Sequence, residues 1–324
     1  MNIQKMKKIA VFTSGGDAPG MNAHIRAVVR TCLARGIEPI GIYGGYEGMI
    51  NGNFLSLNRN FTVNMISQGG TVLKTSRCEE FKTKSGRKKA YENLKKFEID
   101  GVIACGGDGT FKGAHALYEE FNVNIVATPG TIDNDLYGTY YTIGFDTAIN
   151  TATEAIDRIR DTADSHGRIF IIEVMGRHAG HIAMDVGIST GAEFIAVPEV
   201  ETDVEELYRR IQNMREHTRT IIIIGEGGVF LGANELSLEL KKRYNLETKY
   251  TVLGHIQRGG TPSVKDRVLA SHLGMGAVDG LINGKTDVMV GRIYDKIKYT
   301  PLVEAWRKKK KIKEYMFELS ELLA

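Results

Sequence analysis

Short apolar stretches rich in valine and isoleucine recur along the chain, and longer segments whose apolar residues return every three or four positions fall between them. Residues 8–13, 39–42, 101–105, 124–128, 169–174, 220–224 and 288–293 read as near-continuous apolar runs, so they predict strands covered on both faces. Residues 21–34, 87–97, 113–121, 147–163, 204–217 and 265–282 carry helical spacing. Strand and helix alternating this often predict an α/β fold with a mostly parallel sheet. Ligands of such sheets bind beyond the carboxyl ends of the strands. Glycines gather at those places: Gly15 and Gly16, then Gly106, Gly107 and Gly109, then Gly130, Gly176, Gly225, Gly227 and Gly228.

Composition narrows the class. The chain has 37 glycines in 324 residues but only 6 prolines, a glycine excess over the usual ~7% without the proline of a collagen-like or disordered chain. Its length exceeds the ~250 to 300 residues at which single cores stop growing, which predicts two lobes. Lys and Arg number 42 against 39 Asp and Glu, so a net charge of +3 argues against a nucleic-acid arm or an acidic tail as the main business. Cys32, Cys78 and Cys105 are odd in number and lack C-x-x-C spacing, which excludes a disulfide framework and points to a reducing, cytoplasmic setting. No apolar run approaches the ~18 residues of a membrane span, and residues 9–12 are too short for a secretory core. Residues 307–311 form a basic run ahead of a helical pattern over 315–323, and predict a solvated helix face rather than a nucleic-acid patch.

The loops supply the chemistry. Residues 14–22, SGGDAPGMN, lie between a strand and a helix, where exposed N–H groups suit a phosphate, although neither G-x-x-x-x-G-K-[ST] nor a helix-opening G-x-G-x-x-G occurs. In GGDGT, residues 106–110, small side chains allow close approach to a polyphosphate and Asp108 is placed to hold Mg²⁺. PGTIDND, residues 129–135, sets Asp133 and Asp135 two positions apart. If that stretch is extended they face the same way, one to accept a hydroxyl proton and the other to help with the metal. Arg177 in MGRHAGH suits a transferring phosphoryl group, whereas His178 and His181 lack the third ligand of a zinc site. His255 and Arg258, with Arg168 and Lys249, form a cationic set able to grip a second phosphate.

In this order and over nearly the full length, SGGDAPGMNA, GGDGT, PGTIDND, GFDTA, EVMGRHAGH, GEGG and LGHIQRGG closely resemble the bacterial ATP-dependent phosphofructokinases. The resemblance implies two Rossmann-like three-layer lobes with mostly parallel sheets and an active site in the cleft between them. Residues 1–144 plus 257–305 would bind ATP, and residues 145–256 plus 306–324 would bind fructose 6-phosphate. The implied reaction is glycolytic transfer of the γ-phosphoryl of Mg-ATP to the 1-hydroxyl of fructose 6-phosphate in the cytoplasm, by a homotetramer with no nucleic-acid or membrane partner.

Carried over residue by residue, the proton acceptor falls on Asp133, with Thr131, Arg177 and Gly16 in the catalytic set and Asp108 and Asp135 as metal carboxylates. Nucleotide contacts fall on Gly16, Tyr46, Arg77, Cys78, Gly109 and Thr110. The sugar phosphate falls to Thr131, Asp133, Met175, Gly176, Arg177 and Glu226, with His255 and Arg258. Arg168 and Lys249 are expected from a neighbouring subunit. The effector pocket, for ADP or phosphoenolpyruvate, falls on Arg26, Arg30, Arg59, Arg160, Gly191, Glu193 and Arg215. Lys249 replaces a family arginine and loses its bidentate fork. His217 and Thr218 replace effector-site lysines, and Asn64 replaces a carboxylate. Pyrophosphate-using relatives carry Asp and Lys where this chain has Gly109 and Gly130, so the glycines favour ATP. GGDGT also occurs in NAD and lipid kinases, which lack PGTIDND and LGHIQRGG; a catalytically silent sensor would have lost Asp133 or Arg177.

Overall fold

The computed structural model describes residues 6–166, 168–213, 220–228 and 232–323. In chain order the elements begin β1 (Lys8–Thr13), α1 (Met21–Ala34), β2 (Glu38–Ile42), α2 (Gly45–Asn51), β3 (Phe54–Ser56), α3 (Lys84–Lys96), β4 (Gly101–Gly106), α4 (Asp108–Phe121) and β5 (Ile125–Pro129). They continue with α5 (Phe145–His166), β6 (Ile169–Val174), α6 (His181–Thr190), β7 (Phe194–Ala196), α7 (Val204–Asn213), β8 (Ile221–Gly225), α8 (Ala233–Tyr244) and β9 (Thr248–Val252). The last are α9 (Val264–Ile282), β10 (Val288–Ile293), β11 (Lys296–Pro301), α10 (Leu302–Arg307) and α11 (Glu314–Leu323). Every predicted strand forms within a residue of its expected bounds. Among the helices, α4 starts at Asp108, well before the expected 113, and the last part of 204–217 lies outside the described residues.

The chain divides into two compact units. The first comprises Met1–Thr131, Leu136–Asp146 and Arg258–Lys310, the second Ile132–Asp135, Thr147–Gln257 and Lys311–Ala324. In the first, a seven-stranded sheet has the order β11-β10-β5-β4-β1-β2-β3. Its interior pairs are parallel, and β3 and β11 run antiparallel at the two edges. Because β1 leads to β2 on one side while β4 leads to β5 on the other, the sheet switches direction between β1 and β4, where α/β sheets open a ligand crevice. The register levels Thr13 with Cys105 and Cys105 with Thr128, so the turns after β1, β4 and β5 emerge side by side. Ala10, Phe12, Val102 and Ala104 bury one sheet face in a cluster with Phe111, Ala114 and Leu117 of α4, which fixes that helix behind the turns.

The second unit holds a four-stranded parallel sheet, β7-β8-β6-β9. Its core is isoleucine and leucine: Ile169 and Ile171 of β6 and Ile222 and Ile224 of β8 pack with Leu207 and Ile211 of α7 and Leu236 and Leu240 of α8. Val174 is level with Gly225 and Glu173 with Val252, so the segments after β6, β8 and β9 share one edge. Among the described residues, no helix is long and apolar enough to cross a membrane.

Candidate active site

In the first unit the site is built around the start of α4. Helices α3 and α9 are sealed by side chains, Thr83 accepting from the Gly86 N–H and Ser263 from the Asp266 N–H. Helix α4 follows Gly107, which has no side chain to cap it. Its first N–H groups and the positive end of its dipole therefore face the turn, an arrangement suited to an anion. In that first turn Asp108 Oδ1 and Thr110 Oγ1 are buried without a hydrogen-bond partner among the described residues. Buried polar atoms are rarely left so, and the cost of about 1 to 3 kcal/mol each is relieved by a ligand that supplies their partners.

The neighbouring turns are braced against this one. The Ser14 N–H donates to Cys105 O at 3.0 Å and the Gly130 N–H to Gly106 O at 2.9 Å. Thr75 Oγ1 donates to Gly15 O at 2.8 Å and Ser76 Oγ to Gly44 O at 2.8 Å, which brings exposed Arg77 and half-buried Cys78 to the loops after β1 and β2. Asn22 holds the backbone of residues 68–72, donating to Gln68 O and Gly69 O and accepting from the Val72 N–H. A β-carbon on Gly109 would meet nothing within 4 Å, whereas one on Gly16 would lie 1.9 Å from Arg258 Nη1. The guanidinium of Arg258 thus rests on the bare α-carbon of Gly16. Thr131 follows the Gly130 turn, its carbonyl accepting from Thr142 Oγ1 at 2.5 Å.

Tyr46, expected at the nucleotide, is a core residue with 6% exposure. Its ring stacks on Phe81 with centroids 3.9 Å apart, and its hydroxyl donates to Thr110 O at 2.5 Å. Burial pushes its phenol well above the ordinary range, so it stays a donor that supports α4 from behind.

In the second unit, buried Asp133 lies 3.8 Å from Arg177 Nε, the carboxylate beside the guanidinium. The stretch is not extended as expected: Ile132 and Asp133 form a turn and Asn134 is left-handed at φ 54°, so the same-side argument for Asp133 and Asp135 does not hold. Arg177 is itself left-handed at φ 54°, and its N–H donates to Glu226 Oε2 at 3.4 Å. Gly227 permits this contact between loops, because a β-carbon there would lie 2.1 Å from Arg177 O. The Glu226 N–H continues the ladder to Val174 O at 2.8 Å. Gln257, fully buried, accepts from the Met175 N–H at 3.3 Å and donates to Gly254 O at 3.1 Å, tying the Met175–Gly176 turn to the one carrying exposed His255.

Arg168 and Lys249 are not part of this gathering. Arg168 precedes β6 and Lys249 is the second residue of β9, and both are exposed. Met175 lies seven positions beyond Arg168 along this strand, roughly 23 Å at ~3.3 Å per residue. Effector candidates also fall into sets. Arg30 donates to Thr62 Oγ1, and desolvation, then the like charges of Arg26 and Arg59, lower its guanidinium's pKa. In the second unit Arg160 donates to Thr190 O and Gly191 O and stands 3.6 Å from Glu193. Arg215, His217 and Thr218 lie outside the described residues.

Three supports went unread in the sequence: Asn22, Gln257 and Lys309. The basic run was expected on a solvated helix face. Instead residues 308–311 lie between α10 and α11, and Lys309 Nζ donates to Asp108 Oδ2 at 2.8 Å. As to a metal, no group of three or more His, Cys, Asp or Glu suited to an ion occurs among the described residues. Mg²⁺ needs only one or two carboxylates when phosphate oxygens and waters complete its shell, and the buried, unpartnered Oδ1 of Asp108 fits that use.

An uncapped helix start with orphaned polar atoms in one unit, and a carboxylate–guanidinium pair beyond the end of β6 in the other, define an α/β protein equipped for phosphate chemistry. The profile of the family described as phosphofructokinase matches residues 8–281. The ATP-dependent 6-phosphofructokinase 1 of Thermus thermophilus is 54% identical over 322 residues, covering 98% of this chain and 100% of that protein. The ATP-dependent 6-phosphofructokinase of Cytophaga hutchinsonii is 50% identical, covering 98% of each. Among solved structures, phosphofructokinase from Saccharomyces cerevisiae superimposes with a TM-score of 0.85 at 38% identity, over 93% of this chain and 45% of that one, so the chain spans about half its length. A pyrophosphate-dependent phosphofructokinase from Marinobacter aquaeolei, 22% identical with a TM-score of 0.83, over 96% of this chain and 86% of that one, shares the fold. This chain belongs to the phosphofructokinase family.

Proposed function

We propose that the chain is an ATP-dependent 6-phosphofructokinase, moving the γ-phosphoryl group of ATP to the 1-hydroxyl of fructose 6-phosphate in cytoplasmic glycolysis. The observation that carries the reading is the uncapped first turn of α4 with its two orphaned buried atoms. Full-length identity to proteins named ATP-dependent 6-phosphofructokinase supports the choice of substrates.

In this reading the first unit receives the nucleotide. The N–H groups of Gly109 and Thr110 meet its terminal phosphates, Gly16 lets them approach, and Arg77 and Cys78 flank them. Asp108 and Asp135 would hold Mg²⁺, which when bound offsets phosphate charge. Asp133 takes the proton from the 1-hydroxyl as that oxygen bonds to the γ-phosphorus. The bond from that phosphorus to the bridging oxygen breaks, and ADP leaves with the electron pair. Arg177 offsets the charge gathering on the transferring oxygens, with Thr131 beside it. Met175, Gly176, Glu226, His255 and Arg258 hold the sugar phosphate.

Arg168 and Lys249, at the far ends of their strands, serve a neighbouring subunit of a homotetramer. The like charges of Arg26 and Arg59 beside Arg30 support an anionic effector at that cluster, ADP or phosphoenolpyruvate, and Arg160, Gly191, Glu193 and Arg215 are the other effector contacts of this reading.

The test is a coupled assay for fructose 1,6-bisphosphate with ATP or pyrophosphate as donor, run on wild type and Asp133→Ser. General-base help is worth roughly 10² to 10⁴ in rate, so kcat should fall by that factor while ADP and fructose 6-phosphate still bind. Turnover with pyrophosphate alone, or an Asp133→Ser enzyme near wild-type kcat, defeats the proposal.

A further inference from the structure

The segment that carries Lys309 is pinned along its length. Leu302 and Ala305 of α10 are buried in the cluster that holds Phe111 of α4. The Tyr137 N–H donates to Ala305 O at 3.2 Å, and Leu136 and Lys309 form an antiparallel bridge. Lys308 lies over the Tyr137 ring at 5.3 Å, and Lys310 donates to Tyr140 O. Adjacent lysines repel one another, so bringing this run together is unfavourable unless anions or carbonyls meet it. Lys309 meets Asp108 alone among the ion pairs of that carboxylate within the described residues, and it does so on Oδ2, leaving Oδ1 buried and without a partner.

We infer that Lys309 is a positioning residue for the phosphoryl donor. It fixes the Asp108 carboxylate with Oδ1 turned to the cation's place, and cancels its charge so that nucleotide phosphates can approach the start of α4 before a divalent ion arrives. The inference rests on the nucleotide reading of that turn. Without Lys309, the anionic carboxylate confronts the phosphates directly, and only Mg²⁺ can screen it.

The test is calorimetric titration of ADP into the full-length protein, in EDTA and at saturating Mg²⁺, for wild type, Lys309→Met and Lys309→Arg. For Lys309→Met we expect ADP affinity in EDTA to fall by about 2- to 5-fold, in keeping with one exposed charge pair, and the deficit to narrow at saturating Mg²⁺. Lys309→Arg should recover most of the metal-free affinity. An unchanged affinity in EDTA, or an equal loss with and without Mg²⁺, overturns the inference. Absence of ADP binding by the wild type under both conditions would instead overturn the nucleotide reading itself.

Discussion

Adding one methyl group at Gly16 tests whether the contact between the first glycine turn and Arg258 matters to catalysis. The new β-carbon would sit 1.9 Å from Arg258 Nη1 and 3.0 Å from Cζ. An ordinary contact begins near 3.5 Å, so the guanidinium must retreat by about 1.5 Å. Nothing else obstructs the change. Gly16 is not among the positive-φ positions, so alanine fits its backbone, and the obstacle is the far end of a flexible side chain. Stability should therefore hold or rise slightly, since replacing glycine at a compatible site stiffens the unfolded chain by ~0.4 to 1 kcal/mol. Activity should not hold. A misplacement of about 1 Å in a binding group can cost about 10²-fold, near 2.7 kcal/mol.

The assay is kcat/KM for each substrate in wild type, Gly16→Ala, Arg258→Ala and the double variant, with a thermal melt of each. We expect Gly16→Ala to lower kcat/KM about 10²-fold with an unchanged melting temperature, and to add little once Arg258 has been truncated, because the methyl then meets no guanidinium. A loss of the same size in both backgrounds would show that the methyl acts on the nucleotide directly, and would refute the coupling to Arg258. The substrate whose KM rises in Gly16→Ala identifies what Arg258 holds.

Gly109→Asp should fold normally, because a β-carbon there meets nothing within 4 Å, yet lose most turnover with ATP as its carboxylate is brought to the phosphates; unimpaired kcat/KM for ATP would contradict the role of Gly109. His24 is fully buried in α1 with Nε2 2.9 Å from Thr128 Oγ1, and burial lowers its pKa from 6.5 to about 3. A histidine held neutral in the fold contributes stability that is complete above its unfolded pKa of 6.5 and drains away as pH falls toward about 3, at up to ~1.4 kcal/mol per pH unit. Urea denaturation at pH 7 and pH 5 should therefore show a loss on acidification that is smaller in His24→Gln, and an identical loss in both proteins would remove His24 as its source.

What could be read from the chain follows a physical divide between local and distant partners. A buried parallel strand is apolar on both faces whatever its neighbours are, and a turn that lets a ligand approach backbone needs glycine wherever it occurs, so β1, β4, β6 and the loops after them were legible. Edge strand β9 was not, because Lys249, Tyr250 and Val252 are exposed and impose no apolar pattern. Helix α6 was silent for the opposite reason: it is buried on nearly all sides and has no polar stripe to set a period. The start of α4 was missed because Gly109 and Thr110 are poor helix formers, and the turn is held from outside by Tyr46. Lys309 is the extreme case. A run of lysines reads as solvated until its partner is known, and Asp108 is 201 residues away in sequence. The candidate site residues therefore stand out as short motifs, while Tyr46, Gln257 and Lys309 reach those motifs across separations that only the folded chain closes.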